Sequence, residues 1–260
     1  MDLGLKNKIV IITGGTKGIG EAITRGVADE GGIPVFIGRN KDNGLLLLNE
    51  LKAKKQEAHY IQVDLHNTKS CKKAVIETIE KYGKIDALVN NAGRNDTVGL
   101  EFGSPEAFNT SVSNNLNHYY EMTHFCLNEL KKSKGKIVNI SSKTAFTGQG
   151  NTSGYAAAKG AQLALTREWA VELLKYGICV NAIVPAEVMT PLYQSWLNTF
   201  DNPEVKRQEI ISKIPLEKRM TTKEEIASMA LFLISDKANH ITGQHLFVDG
   251  GYTHLDRSIT

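Results

Sequence analysis

Short apolar runs alternate with longer amphipathic stretches along the whole chain, and this rhythm restricts the fold more than any other feature. The runs are KIVIIT (8–13), IPVFIG (33–38), AHYIQVD (58–64), IDALVNNAG (85–93), GKIVNISS (135–142), GICVNAIVP (177–185) and GQHLFVDGG (243–251). They are rich in Val and Ile, almost continuously apolar, and bounded by Gly, Asn, Asp or Pro. Strands buried on both faces look like this. Helical patterns lie between them, for example over residues 19–30, 68–82, 105–132 and 153–175. Such alternation predicts right-handed βαβ crossovers, and so an α/β fold: a doubly wound sheet of seven parallel strands with helices on both faces. No linker, repeat or low-complexity segment breaks the pattern, so one domain over 1–260 is expected. The rhythm falters only at 186–220, where two short helices are expected before the last helix–strand unit. An insertion at the carboxyl edge of a sheet suits a substrate lid.

Composition narrows the function classes. Apolar residues make up 41% of the 260, enough for one substantial core. Lys and Arg number 31 against 28 Asp and Glu, with no basic stripe. The pairs Lys54–Lys55, Lys72–Lys73 and Lys131–Lys132 read as solvated charge near helix ends, so no nucleic-acid partner is expected. Cys71, Cys126 and Cys179 are far apart, odd in number and lack a C-x-x-C. A disulfide framework or metal site is therefore not expected, and a reducing cytoplasmic setting is. The apolar run at 8–13 ends in a glycine turn and is too short for a signal segment or a membrane span.

The first strand leads into TGGTKGIG (13–20), which opens the first helix. Gly14, Gly18 and Gly20 permit a tight turn and close approach of backbone to a pyrophosphate, and the helix start offers free N–H groups. A glycine pattern alone is weak, but its place between strand and helix makes it a dinucleotide signal. The second strand ends in Gly38–Arg39, where an NAD site usually carries an acid for the ribose 2′-hydroxyl. Arg39 and Lys17 instead offer two cations to a 2′-phosphate. NADP is the expected cofactor, with NAD as the alternative.

Another stretch, TSGYAAAKGAQ (152–162), sets Tyr155 and Lys159 one helical turn apart on one face among small residues. Packing alone has no need of a phenol beside an ammonium.

TGGTKGIG, VDL (63–65), NNAG (90–93), an Asn in the fourth crossover helix, IVNISS (137–142), YAAAK (155–159) and NAIVP (181–185) occur in an order that resembles the short-chain dehydrogenases/reductases over essentially the whole chain. The resemblance implies a Rossmann-type fold and NAD(P)-dependent oxidation or reduction. Within the family, HYYEMTHFCL (118–127), 141–170, PAEVMTPLY (185–193) and DGGYTHLDR (249–257) are most similar to sugar dehydrogenases of the L-fucose dehydrogenase kind.

The resemblance implies roles residue by residue. Tyr155 is the acid–base. A free phenol titrates near pH ~10, and Lys159 would lower that by roughly 2–3 units as a nearby cation while holding the nicotinamide ribose. Ser142, thirteen residues before Tyr155, orients the substrate hydroxyl, with Ser141 as its structural neighbour. Asn115, chosen over Asn114 and Asn117 because Leu follows it, holds a water in a proton relay from Lys159. The cofactor site comprises Gly14, Thr16, Lys17, Gly18, Ile19, Gly20, Arg39, Asp64, Leu65, Asn90, Asn91, Ala92, Gly93, Tyr155, Lys159, Pro185, Val188 and Thr190. Asp64 is matched to the adenine amino group, and Val188 and Thr190 to the carboxamide. The family has Pro-Gly after the sixth strand where this chain has Pro185–Ala186.

The expected reaction is oxidation of an aldose such as L-fucose at C1 to the lactone. Arg94, Asn95, Lys143, Gln149, Glu187 and Trp196 are candidate sugar contacts, because a polyol needs several polar groups and one aromatic face. The alternatives are a 3-oxoacyl or general carbonyl or steroid reductase, and a nucleotide-binding scaffold without turnover. A homotetramer is expected through the helices at 105–132 and 153–175, which carry Phe125, Leu163, Leu165 and Trp169.

Overall fold

Every apolar run forms a strand in the computed structural model of the protein, which describes residues 1–256. Arg257, at the end of the 249–257 stretch, lies outside the described residues. The strands are β1 (Ile9–Thr13), β2 (Ile33–Gly38), β3 (His59–Gln62), β4 (Ala87–Asn90), β5 (Lys136–Ile140), β6 (Cys179–Pro185) and β7 (His245–Val248). The helices are α1 (Gly18–Asp29), α2 (Lys41–Ala53), α3 (Thr68–Tyr82), α4 (Pro105–Ser133), α5 (Ser153–Leu173), α6 (Pro191–Leu197), α7 (Pro203–Ile211) and α8 (Lys223–Ile234). Several strands are shorter than their apolar runs. The polar ends VD, NAG and SS leave the sheet at its carboxyl edge, where they build the site.

All seven strands are parallel, in the order β3-β2-β1-β4-β5-β6-β7. Successive residues of β1 serve opposite faces, as the pleat requires. Ile9 and Ile11 join Tyr119, Met122 and Trp169 in the core beneath α3, α4 and α5. Val10 and Ile12 join Ile23, Val27 and Ile226 beneath α1 and α8. The chain leaves β1 toward β2 on one side and meets β4 on the other, so a crevice opens at the carboxyl ends of β1 and β4.

Local signals set the helix starts. Ser104 caps α4 by accepting from the Ala107 N–H at 3.1 Å, with Pro105 in the first turn. Thr222 and Glu225 form a reciprocal capping box at α8. The segment holding α6 and α7 is pinned at its base, where Val188 bridges to Thr221 and the Thr221 N–H donates to the Glu187 carbonyl at 3.0 Å.

One buried polar chain ties α4 and α5 to the sheet. Asn90 Nδ2 donates to Thr123 Oγ1 of α4 at 3.2 Å and to Asn139 Oδ1 of β5 at 3.0 Å. Asn139 Nδ2 donates to Thr166 Oγ1 of α5 at 2.9 Å. This corrects the expectation that Asn90 faces the cofactor groove. Its side chain points to the α4–α5 side of the sheet and is fully buried there.

The apolar residues expected at an oligomer face are also reassigned. Leu163 and Trp169 are buried within the protomer, and Phe125 and Leu165 pack against the core. The exposed apolar side chains of these helices are Phe108, Tyr120 and Val171.

Replacing Asn139 by Ala leaves one Asn90 Nδ2–H without its acceptor and away from water, and removes the donor to Thr166. The substitution is expected to lower unfolding stability by about 2–4 kcal/mol. Urea unfolding of wild type and N139A checks this, and a loss below ~1 kcal/mol contradicts the role of the chain.

Candidate active site

The crevice is a cavity of about 670 Å³ whose floor is the glycine turn. Gly14 and Gly18 have φ of +64° and +59°, the left-handed region that side chains avoid. A Cβ on Gly20 would collide with the Gly14 carbonyl and the Asn91 side-chain amide. Asn91 holds the turn by donating to the Thr13 carbonyl at 2.9 Å. Lys17 is the N-cap of α1 and its side chain caps nothing, so the first-turn N–H groups face the cavity. These features fit a dinucleotide pyrophosphate. Thr16, Ile19, Leu65, Ala92, Gly93, Pro185, Val188 and Thr190 also line the cavity.

Arg39 and Lys17 lie exposed at the rim beside Asp64. Asp64 Oδ1 pairs with His66 Nδ1 at 3.2 Å. Neither cation is in an ion pair among the described residues, so both can meet a phosphate.

The other wall holds the residues that can do chemistry. Tyr155, Lys159, Ser142, Asn115 and Arg94 all line the cavity. Ser142 follows β5, and its Oγ accepts from the Thr144 N–H at 3.2 Å and the Thr144 hydroxyl at 3.1 Å. Its own hydrogen is thereby left to donate. Ser141 donates to the Lys159 carbonyl at 2.9 Å, the structural task expected of it. Lys159 is almost fully buried; its Nζ donates to the Ile140 carbonyl at 2.7 Å and the Tyr119 hydroxyl at 3.3 Å.

Asn115 is heavily committed. Its Oδ1 accepts from the Arg94 N–H at 2.7 Å, its Nδ2 donates to the Ser111 carbonyl at 2.9 Å, and its carbonyl accepts from Gln162 at 2.7 Å. It therefore anchors the loop after β4 to α4. Gly93 sits between Asn115 Oδ1 and Lys159 Nζ.

Burial dominates the titration of the pair. It pushes Tyr155 up to about 12, while the Ser142 hydroxyl pulls the other way. It pushes Lys159 down to about 7. In the protein alone, burial therefore outweighs the lowering of Tyr155 that the motif implies, because the low-polarity wall disfavours both charges.

The expected sugar contacts divide. Arg94 lines the cavity. Asn95 does not, and its Oδ1 accepts from the Thr97 N–H at 3.1 Å in a local turn. Asp96 lines the cavity instead and accepts from Ser111 Oγ at 2.7 Å. Lys143 and Glu187 are buried against each other in an ion pair behind the lining. Gln149 is exposed outside the cavity. Trp196 packs edge-on between Tyr193 and Phe200 rather than facing the cavity. Tyr193 takes its place in the lining, its hydroxyl donating to Glu187 Oε2 at 2.6 Å.

The comparisons agree with this geometry. A family model described as enoyl-(acyl carrier protein) reductase matches residues 14–253. The chain belongs to the short-chain dehydrogenase/reductase family. It is 35% identical to L-fucose dehydrogenase of Rattus norvegicus over 245 residues, covering 94% of this chain and 88% of that protein. It is 33% identical to the 3-oxoacyl-[acyl-carrier-protein] reductase FabG of Thermotoga maritima, covering 95% and 98%. The crystal structure of Cj0485 dehydrogenase superposes with a TM-score of 0.94 at 50% identity, covering 99% of this chain and 98% of that one.

As a short-chain dehydrogenase/reductase, the protein is an oxidoreductase of the NAD(P)-dependent kind. Among the residues that escaped the sequence reading are Thr144 behind Ser142, Tyr119 on Lys159, and Asp96 and Tyr193 in the lining. For Tyr119 one signal existed, since it stands one helical turn after Asn115 and so on the same face of α4.

Gly20→Ala forces the glycine turn open. The variant is expected to keep its far-ultraviolet circular dichroism while its dissociation constant for the reduced dinucleotide, NADPH or NADH, rises more than ~tenfold, about 1.4 kcal/mol. Fluorescence titration measures this, and unchanged affinity contradicts the placement of the phosphates.

Proposed function

We propose that the protein oxidises an aldose of the L-fucose type at C1, yielding the lactone, with NADP⁺ as hydride acceptor. The observation that carries the reading is the meeting of Ser142, Tyr155 and Lys159 on one wall of a cavity whose floor is a glycine turn. The 35% identity to a mammalian L-fucose dehydrogenase supports a sugar as substrate.

The glycine turn and the first turn of α1 would hold the pyrophosphate. Asp64 and Leu65 would flank the adenine, and Lys159 would hold the nicotinamide ribose. Bound there, the oxidised nicotinamide accepts two electrons as hydride. Ser142, its oxygen already occupied by Thr144, donates toward the sugar oxygen and fixes its position. Tyr155 removes the hydroxyl proton. Arg94, Asp96 and Tyr193 supply polar contacts to the ring hydroxyls. Residues 186–220 act as the lid, carrying Tyr193 on α6. Arg39 and Lys17, free of carboxylate partners, favour NADP over NAD. We place the enzyme in the cytoplasm as a homotetramer that buries Phe108, Tyr120 and Val171 of α4 and α5.

A 3-oxoacyl reductase is the second reading, favoured by the 33% identity to the Thermotoga maritima enzyme. A screen separates the two. Purified protein is offered aldoses with NADP⁺ or NAD⁺, and acetoacetyl thioesters with NADPH, and the reduced cofactor's absorbance is followed. Aldose turnover is expected. Thioester reduction without aldose turnover overturns the sugar reading.

The pH dependence has a definite sign. Tyr155, at about 12 in the protein alone, is a base only when deprotonated. Aldose oxidation therefore climbs through the neutral and alkaline range, whereas carbonyl reduction, which needs the phenol, declines there. A flat oxidation profile contradicts Tyr155 as base. Tyr155→Phe is expected to cut kcat by ~10²–10⁴-fold with NADPH affinity preserved. Arg39→Asp should shift the NADP-to-NAD preference by ~tenfold or more toward NAD, read as kcat/KM for each cofactor.

A further inference from the structure

Lys159 is held by only one side chain among the described residues, and it is not one the family motif supplies. The Tyr119 hydroxyl, fully buried on α4, lies 3.3 Å from Lys159 Nζ. It has a single hydrogen, which it donates to the Ile140 carbonyl at 2.9 Å. It therefore meets Lys159 as an acceptor, a contact that favours the ammonium over the neutral amine. The Ile140 carbonyl, last in β5, accepts from both groups. The ammonium also lies 5.4 Å from the Tyr119 ring centre and 5.5 Å from that of Tyr155.

We propose that Tyr119 is a positioning residue that keeps Lys159 charged and, through Lys159, sets the pH at which Tyr155 becomes a base. The inference rests on the reading of Tyr155 and Lys159 as the acid–base pair.

Most of the other groups facing Lys159 carry no charge. From α4, burial holds His118 neutral, pushed down to about 3. Tyr119 itself is held neutral, well above the usual tyrosine range. Asn115 of α4, Gly93 after β4 and the Ile140 carbonyl of β5 carry no charge. Arg94 and Asp96 reach the cavity from the loop after β4, and Lys143 and Glu187 neutralise each other beyond Ser142.

Without the Tyr119 oxygen, the buried ammonium keeps one acceptor fewer. Lys159 then releases its proton at lower pH, and Tyr155 loses the neighbouring positive charge that favours its phenolate. The acid limb of oxidation must move to higher pH.

The test is the pH–kcat profile of Tyr119→Phe and of Tyr119→Met, which fills similar space without a hydroxyl. The substrate is whichever aldose the wild type turns over or, failing that, the alcohol form of a ketone it reduces. The acid limb is expected to rise by about one pH unit in each folded variant, since a hydrogen bond to a charged group is of that size. At pH 7 kcat then falls ~tenfold and recovers at alkaline pH, while NADPH affinity stays within about twofold. A limb at the wild-type position in either folded variant overturns the inference, whatever happens to thermal stability. Tyr155→Phe runs alongside. Residual activity there sinks the underlying acid–base reading, whereas an inactive Tyr155→Phe with an unmoved Tyr119→Phe profile sinks this inference alone.

Discussion

An ammonium withdrawn from water must be solvated by protein, and the placement of Lys159 depends on that requirement. Leaving such a charge uncompensated costs several kcal/mol or forces its neutralisation. Here two oxygens meet it, the Ile140 carbonyl at 2.7 Å and the Tyr119 hydroxyl at 3.3 Å. Both are available only because β5 ends at Ile140, α4 brings Tyr119 against that end, and α5 sets Lys159 opposite. The same strand end continues into Ser141, which grips the Lys159 carbonyl, and Ser142, which faces the cavity. One strand terminus thus fixes the backbone of α5, the position of its lysine Nζ and the serine hydroxyl.

Rigidity reaches this point from below. The Thr123–Asn90–Asn139–Thr166 chain crosses from α4 through β4 and β5 to α5 inside an otherwise apolar core. Hydrogen bonds are directional where apolar contacts are not, so the chain fixes where the two helices stand relative to the sheet. On the opposite side, the Lys143–Glu187–Tyr193 contacts link the strand end at Ser142, the loop after β6 and helix α6. A buried ion pair contributes less to net stability than to geometry. In this position it ties the segment over the cavity to Lys143, the residue beside Ser142.

The architecture was legible because its signals are local. Val- and Ile-rich runs such as KIVIIT, and glycines whose conformations side chains cannot adopt, report the state of their own backbone. Tyr155 and Lys159 stood out by their spacing on one helix face, and Ser142 followed from the family resemblance. What could not be read was side-chain direction at the borders of elements. Asn90 and Asn91 are adjacent, yet one enters the core and the other the cavity, because β4 ends between them. Lys143 and Glu187, separated by 44 positions, looked like two independent sugar ligands, and only the parallel fold reveals that they neutralise each other. Trp196 was assigned to the sugar by chemistry, but the short helix α6 turns Tyr193 inward and leaves the indole edge-on at its side. The tyrosine beside Lys159 lay unread for the same reason, since its partner is in another helix.

The proposed reaction requires that hydride leave C1 of the sugar directly for a nucleotide that the glycine turn and Lys159 would hold. It is tested most directly with an aldose deuterated at C1 and NADP⁺, analysing the reduced nucleotide by mass spectrometry. The account predicts one deuterium on the nicotinamide ring and a slower rate than with the unlabelled sugar. Reduced nucleotide without deuterium, or failure of the sugar to react while the nucleotide binds, would contradict it.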